Sequence, residues 1–424
     1  MTAEICILNR EAVAMASDSA ATVELTTPDG HLFKYFPTVD KIFAVGNDAH
    51  TVGVMVYQSP TIMEVPWETL IKLWGDSLED RPLPRVSDYA DSLLAFVRSH
   101  PVIKAPDQQE HHFRQTTELF AAGLLSSLDS RVRTEIEDQG QVSEARLSEI
   151  TRQVIGDERN RWLGLDDLTP NPQRLGDAVT DQYGSFLNKT IRRYFVNYSL
   201  TDEDKAAITE TAGNLFFRNE RAVVAYTGLV IAGYGDADIF PSVQHYEVEG
   251  LIADFLKARL IEEFKAGIDP KQHARIIPFA QQEMVRAFIV GAEEVSVAEL
   301  KRFARTSFQD LVASARMSEA RRVAAVEAAL AGWDDAVRRY ANDRGSAVQL
   351  VVGMLPKREL AAMAETLVSL TSFKRRVSPE VESVGGPTDV AIISKSEGFR
   401  WFRRKDWDPL YPWESQGRGL PPQQ

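Results

Sequence analysis

Three residues near the start of the chain have the types and spacing for chemistry: Thr2, Asp18 and Lys41. An initiator methionine followed by a small residue is normally removed, which leaves Thr2 as the N-terminal residue. A threonine in that position carries a hydroxyl nucleophile and a free α-amine. The amine, with an ordinary pKa of about 7.7–8.0, serves as the general base. Such a site needs no histidine, but it needs a carboxylate and a lysine that tune the amine and stabilise charge. Asp18 follows Thr2 by sixteen positions. If "EICILN" and "AVAMASD" form a hairpin, the second strand runs back and delivers Asp18 beside the chain start. Lys41 heads the apolar run "KIFAVG", where its stem packs inward and its ammonium reaches Thr2. An ordinary Met-Thr start, a carboxylate capping a turn and a lysine on a strand edge leave the same letters.

The remaining candidates are weaker. Asp236 and Asp238 in "GYGDADIF" offer oxygen ligands but lack the further acidic positions of a calcium loop, and they read as a hairpin turn. His111-His112 has no HExxH spacing and reads as a solvated helix face. Gly228, Gly233 and Gly235 do not form GxGxxG before a helix, so no dinucleotide site follows. Cys6, the single cysteine, lies in an apolar run and reads as a buried small hydrophobe; one thiol excludes a disulfide framework within the chain.

The elements that must position Thr2, Asp18 and Lys41 are short strands. The two runs already named form one hairpin, and "KIFAVG" and "TVGVMVYQ" form another around "NDAH". Pro28-Asp29-Gly30 marks a turn between the two pairs. The period then changes. Trp67, Leu70, Ile71 and Trp74 share one helical face after Pro66, and a second helix over "VSDYADSLLAFVRSH" has Ser87 or Asp88 as cap. Residues 105–221 read as helical and polar, broken at Pro170 and Pro172. Strand character returns over 222–250, helix over 251–345, then a strongly periodic helix and a final hairpin, "TDVAIISKSEGFRWFRR". The Pro-rich tail 406–424 is expected to be poorly ordered. The pattern predicts an α+β chain with two antiparallel sheets between helical layers, in which 1–104, 222–250 and 346–405 are core and 105–221 and 251–345 are helical insertions.

A net charge of −13 over 424 residues argues against non-specific nucleic-acid or anionic-membrane binding, because both need a basic surface. Lys374-Arg375-Arg376 is a solvated helix end. No signal peptide is read at the N-terminus and no stretch approaches about 20 apolar residues, so the expected compartment is the cytoplasm.

"TAEICILNREAVAMASDSAAT" resembles the opening of proteasome β-type N-terminal nucleophile hydrolases, including the two-tier bacterial form. In that family a threonine begins the mature chain, and a strand–turn–strand ends in an Ala-Asp-Ser-Arg-Ala-Thr-like motif. Thr2 matches the nucleophile, Asp18 the aspartate, and Thr22 the closing threonine, whose backbone in the family helps hold substrate. The family's arginine is Ala20 here. "KIFAVG" resembles the third strand, which makes Lys41 the family's lysine. "VGVMVYQS" resembles the fourth strand, whose end supplies the oxyanion-hole amide; Tyr57 and Gln58 stand where the family has Gly-Gly. "EVESVGGPTD" resembles the segment that supports the nucleophile's amine, with Ser383 and, one residue earlier, Glu382 as nearest matches. The resemblance covers about 170 residues. It implies a four-layer αββα sandwich with large helical insertions, hydrolysis of amide bonds in a peptide or protein substrate, no cofactor or metal, and a homo-oligomer. The alternative is a catalytically silent scaffold of the same fold, whose insertions mediate assembly.

Overall fold

The computed structural model describes residues 3–27, 30–222, 226–378 and 384–405. In chain order the strands β1 (Glu4–Asn9), β2 (Val13–Asp18), β3 (Ala21–Thr27), β4 (Gly30–Phe36), β5 (Ile42–Ala44), β6 (Val52–Gln58), β7 (Thr61–Ile62) and β8 (Val65–Pro66) lead into seven helices. These are α1 (Trp67–Ser77), α2 (Val86–Ser99), α3 (Pro101–Lys104), α4 (Pro106–Gln139), α5 (Glu144–Leu163), α6 (Pro172–Tyr194) and α7 (Asp202–Asn214). Then come β9 (Thr227–Gly233), β10 (Ser242–Ile252), β11 (Phe255–Leu260), β12 (Ala266–Gly267) and β13 (Ala274–Pro278). Helices α8 (Gln282–Val290), α9 (Glu294–Ala313), α10 (Glu319–Val352) and α11 (Lys357–Val377) precede the last hairpin, β14 (Thr388–Ser394) and β15 (Gly398–Arg403). The α+β class follows directly.

The chain divides into two compact units, 1–42 with 268–424, and 43–267. The first is built on a five-stranded sheet of order β13-β1-β2-β14-β15, in which β1, β2 and β14 are antiparallel neighbours. Alternation decides its faces: Ala3, Ile5 and Ile7 with Ala12, Ala14 and Ala16 form a core with Leu360, Ala361, Ala364, Leu367 and Val368 of α11. The alanines matter because a small side chain lets a helix lie close on a strand pair. β3 and β4 form a separate two-stranded ribbon. Pro28 and Asp29, where a turn is expected, lie outside the described residues.

The second unit contains a sheet of order β11-β10-β9-β6-β5. One of its faces packs on α1 and α2 through Val54, Val56, Leu229 and Ile231 against Trp67, Leu70, Ile71, Trp74, Tyr89 and Leu93. Helices α4 to α7 close around a core of their own, with Phe113, Trp162, Val179, Leu187 and Phe217.

Three expectations need correction. The stretch 251–345 is not helical from its start: β11, β12 and β13 occupy 255–278, and helix begins at Gln282. β13 pairs with β1, so this stretch completes the sheet. The cap of α2 is Arg85, with Asp88 at the third helical position accepting from the Arg85 N–H at 3.0 Å. His112 does not line a solvated face: it is 7% exposed and its ring meets Phe216 edge-on.

Candidate functional site

Asp18 ends β2, and the hairpin register decides where it lies. Glu4 pairs with Ser17, and the Asp18 N–H donates to the Ala3 carbonyl at 3.0 Å. The carboxylate then turns back on the chain start. Its Oδ1 accepts from the Ala3 N–H at 3.0 Å and from Lys41 Nζ at 2.6 Å. Its Oδ2 accepts from the Gly385 N–H at 2.9 Å. Asp18 is fully buried, so these three donors replace the water that an ionised carboxylate would otherwise need.

Lys41 reaches the site because the Val39 N–H donates to the Ser19 carbonyl at 2.9 Å, which lays residues 39–41 along the end of β2. Its side chain is 5% exposed and its ammonium lies between Asp18 and Glu4 Oε1, the latter at 3.2 Å. Gly385 arrives from the segment before β14, where Thr388 pairs with Asp18. The next residue, Gly386, has φ +72°, and a Cβ there would stand 2.5 Å from the Pro37 carbonyl oxygen. Only glycine fits both conditions.

A second buried lysine grips the same two segments. Lys405 Nζ donates to Asp389 Oδ2 at 2.5 Å, the Val39 carbonyl at 3.1 Å and Ser19 Oγ at 3.2 Å, and it forms an ion pair with Asp40 Oδ1 at 2.6 Å. Its own N–H donates to Asp389 Oδ1 at 2.7 Å. Lys41 thus binds Asp18 and Lys405 binds Ser19, and Lys405 also pairs with Asp40, the residue before Lys41.

Asp18 and Lys41, expected from the sequence, are brought together. Thr2 lies outside the described residues; the nitrogen that follows its carbonyl, that of Ala3, is the one Asp18 holds. Ser383 and Glu382 also lie outside the described residues. Thr22 is in β3 opposite Tyr35. Tyr57 belongs to the other unit, where its ring covers Gly228 and its hydroxyl meets His245 Nε2 at 2.8 Å. Gln58 has φ +68°.

Glu4, Gly385, Lys405, Asp40 and Asp389 escape sequence reasoning. For Glu4 a signal exists: it is the one charged letter in "EICILN", a strand buried at every position. Cys6 is fully buried, and burial pushes its thiol well above the usual range, which removes the thiolate a nucleophile needs. Asp238 Oδ2 accepts from the Gly235 and Val86 N–H groups, as a turn residue does. His111 pairs with Glu64 at the surface. Among the described residues no group of three or more His, Cys, Asp and Glu side chains is arranged to hold a metal ion. No helix there is long and apolar enough to cross a membrane.

The arrangement can polarise a group next to the chain start. A buried ammonium beside an amine disfavours its protonation, and the two carboxylates that hold this one act in the opposite sense. A search against protein-family models and one against curated proteins each give no match to this chain.

Proposed function

We propose that the chain is a threonine-type N-terminal nucleophile hydrolase of the proteasome β-type, with the four-layer αββα sandwich that this resemblance implies. The observation that supports this reading is the buried Asp18–Lys41 pair at 2.6 Å, with Asp18 also bonded to the N–H of Ala3, the residue after Thr2. A buried pair of this kind is a poor stabiliser compared with apolar packing, which favours a role beyond folding.

In the proposed reaction Met1 is removed and the Thr2 Oγ attacks an amide carbonyl carbon. The Thr2 amine takes the hydroxyl proton and delivers it to the leaving nitrogen as the C–N bond breaks, which leaves an ester on Thr2. Water, activated by the same amine, then releases the acid and restores the hydroxyl. Lys41 keeps the amine unprotonated between steps and stabilises negative charge, and Asp18 orients Lys41. Ser383 is the candidate support for the amine.

The test combines intact-mass analysis with a peptide epoxyketone, which reacts with a hydroxyl and an amine carried on one residue. The expected result is loss of Met1 and one adduct, mapped to Thr2; Thr2→Ala should form none and hydrolyse nothing. Retained Met1, or a parent chain that stays unmodified, sinks the reading.

The scaffold alternative draws on α9, where Leu300, Phe303 and Leu311 are 55%, 72% and 74% exposed along one side. Assembly through the helical additions, including a homo-oligomer, is compatible with either reading. Sedimentation velocity of the parent and of a Phe303→Asp variant tests it, and an unchanged monomer in both overturns it.

A further inference from the structure

An ammonium group has three N–H donors, and when it is buried each one needs an acceptor. Lys41 gives one to Asp18 Oδ1 at 2.6 Å and one to Glu4 Oε1 at 3.2 Å. Those two bonds, with the bond to Cε, fix the tetrahedral nitrogen, so its third N–H has a single direction left. Glu4 is therefore placed to decide where Lys41 points its remaining donor.

Glu4 is a costly choice for its position. It occupies a strand buried at all six positions, opposite Ser17 on β2, and is itself 2% exposed. An apolar residue of similar size gives such a strand equal or better stability, because desolvating a charge offsets most of what its partner returns. The residue lies two positions after Thr2 and touches the lysine of the candidate site directly. We propose that Glu4 is a positioning residue of the Thr2 reaction: with Asp18 it holds Lys41 Nζ between two carboxylates and aims the third N–H at the reacting residue. This inference rests on the reading of Thr2 as the nucleophile.

Among the described residues the charged groups beside Glu4 and Lys41 include Asp18 on β2 and, in the adjoining cluster, Asp40, Asp389 and Lys405. The test variant is Glu4→Gln, which keeps size and an acceptor oxygen but removes the charge. The readout is the rate of Thr2 modification by the epoxyketone, measured from pH 5.5 to 9. The rate should fall by about tenfold to a hundredfold, as a misaimed catalytic group costs, while the half-saturating probe concentration stays unchanged. The acid limb of the profile should move to lower pH, because one fewer anion near the amine disfavours its protonated form. A purely structural role would lower the melting temperature and leave the shape of the profile intact.

Parent-like rate and profile in folded Glu4→Gln overturn the inference while leaving the Thr2 reading in place. A parent chain that loses Met1 and still forms no adduct overturns both. Should Glu4→Gln fail to fold, Glu4→Asp carries the same test. It retains the charge but shortens the reach by one methylene, so the rate should fall with no shift of the acid limb; a parent-like rate overturns the inference.

Discussion

Asp18 spends both its oxygens on three donors from three parts of the chain, namely Ala3, Lys41 and Gly385. That economy makes the neighbours of Asp18 interdependent. Lys41→Met would remove the ammonium and leave Asp18 and Glu4 buried without it, a loss of about 3–5 kcal/mol for a broken buried pair. Urea unfolding of parent and variant reads this number directly, and a loss under about 1 kcal/mol would contradict the buried geometry. The same variant should form no epoxyketone adduct even where it is folded. Cys6 offers the contrasting case. It is enclosed in β1 and its thiol is pushed up by burial, so native protein should resist alkylation by iodoacetamide and Cys6→Ala should react at Thr2 as the parent does. Rapid native alkylation at Cys6 would show that β1 opens, against its complete burial.

The hairpin of β1 and β2 sets the register that delivers Asp18, and the segment before β14 closes over it. Gly386 is the narrow point of that segment. Gly386→Ala meets both a positive φ and a 2.5 Å approach to the Pro37 carbonyl, so it should cost more than about 1 kcal/mol. Because Gly385 next to it holds Asp18 Oδ2, the adduct rate should fall as well; a fully stable, fully reactive variant would separate this segment from the site. Much at this scale is legible in sequence. β1, β2, β14 and β15 alternate or run apolar between clear turn letters, and α11 carries its period without interruption over Lys357–Val377. Others are hidden for physical reasons. β11, "FLKARL", interleaves charges with its apolar residues, and β13, "ARIIP", is five residues ending in proline. Their strand character comes from partners, β10 and β1, that no local window contains. The site divides along the same line. Asp18 is readable because a short hairpin returns it to the chain start, and Lys41 because it is the charged letter just before the apolar run of β5. The bonds from Gly385 and from Lys405 span more than 360 residues, where single letters carry no signal.

At the scale of the whole chain, acid should act on the two units unequally. His112 and His245 both belong to the 43–267 unit and both are buried. Burial, with Lys257 and His111 adding to it, lowers the His112 pKa to about 4; burial, with Arg221 adding to it, lowers that of His245 to about 3. The unfolded chain returns each imidazole to about 6.5. Below that value the unfolded state binds protons that the native state refuses, so stability rises with pH from about 4 up to 6.5 and falls as acid is added. At pH 5 each histidine withholds its proton at a cost of about 2 kcal/mol. His112→Asn does not titrate. Its urea stability should therefore fall less between pH 7 and pH 5 than the parent's does, by about that amount. Hydrogen exchange at pH 5 should show protection lost first in β6, β9, β10 and α4, while β1, β2 and β14, which hold Asp18, keep theirs. Equal slopes in parent and His112→Asn, or earlier exchange in β1 and β2, would place the acid-sensitive groups elsewhere. The consequence for the proposed site is specific. A loss of Thr2 reactivity on mild acidification would then reflect protonation of the amine itself, because the strands that hold Asp18 would still be folded.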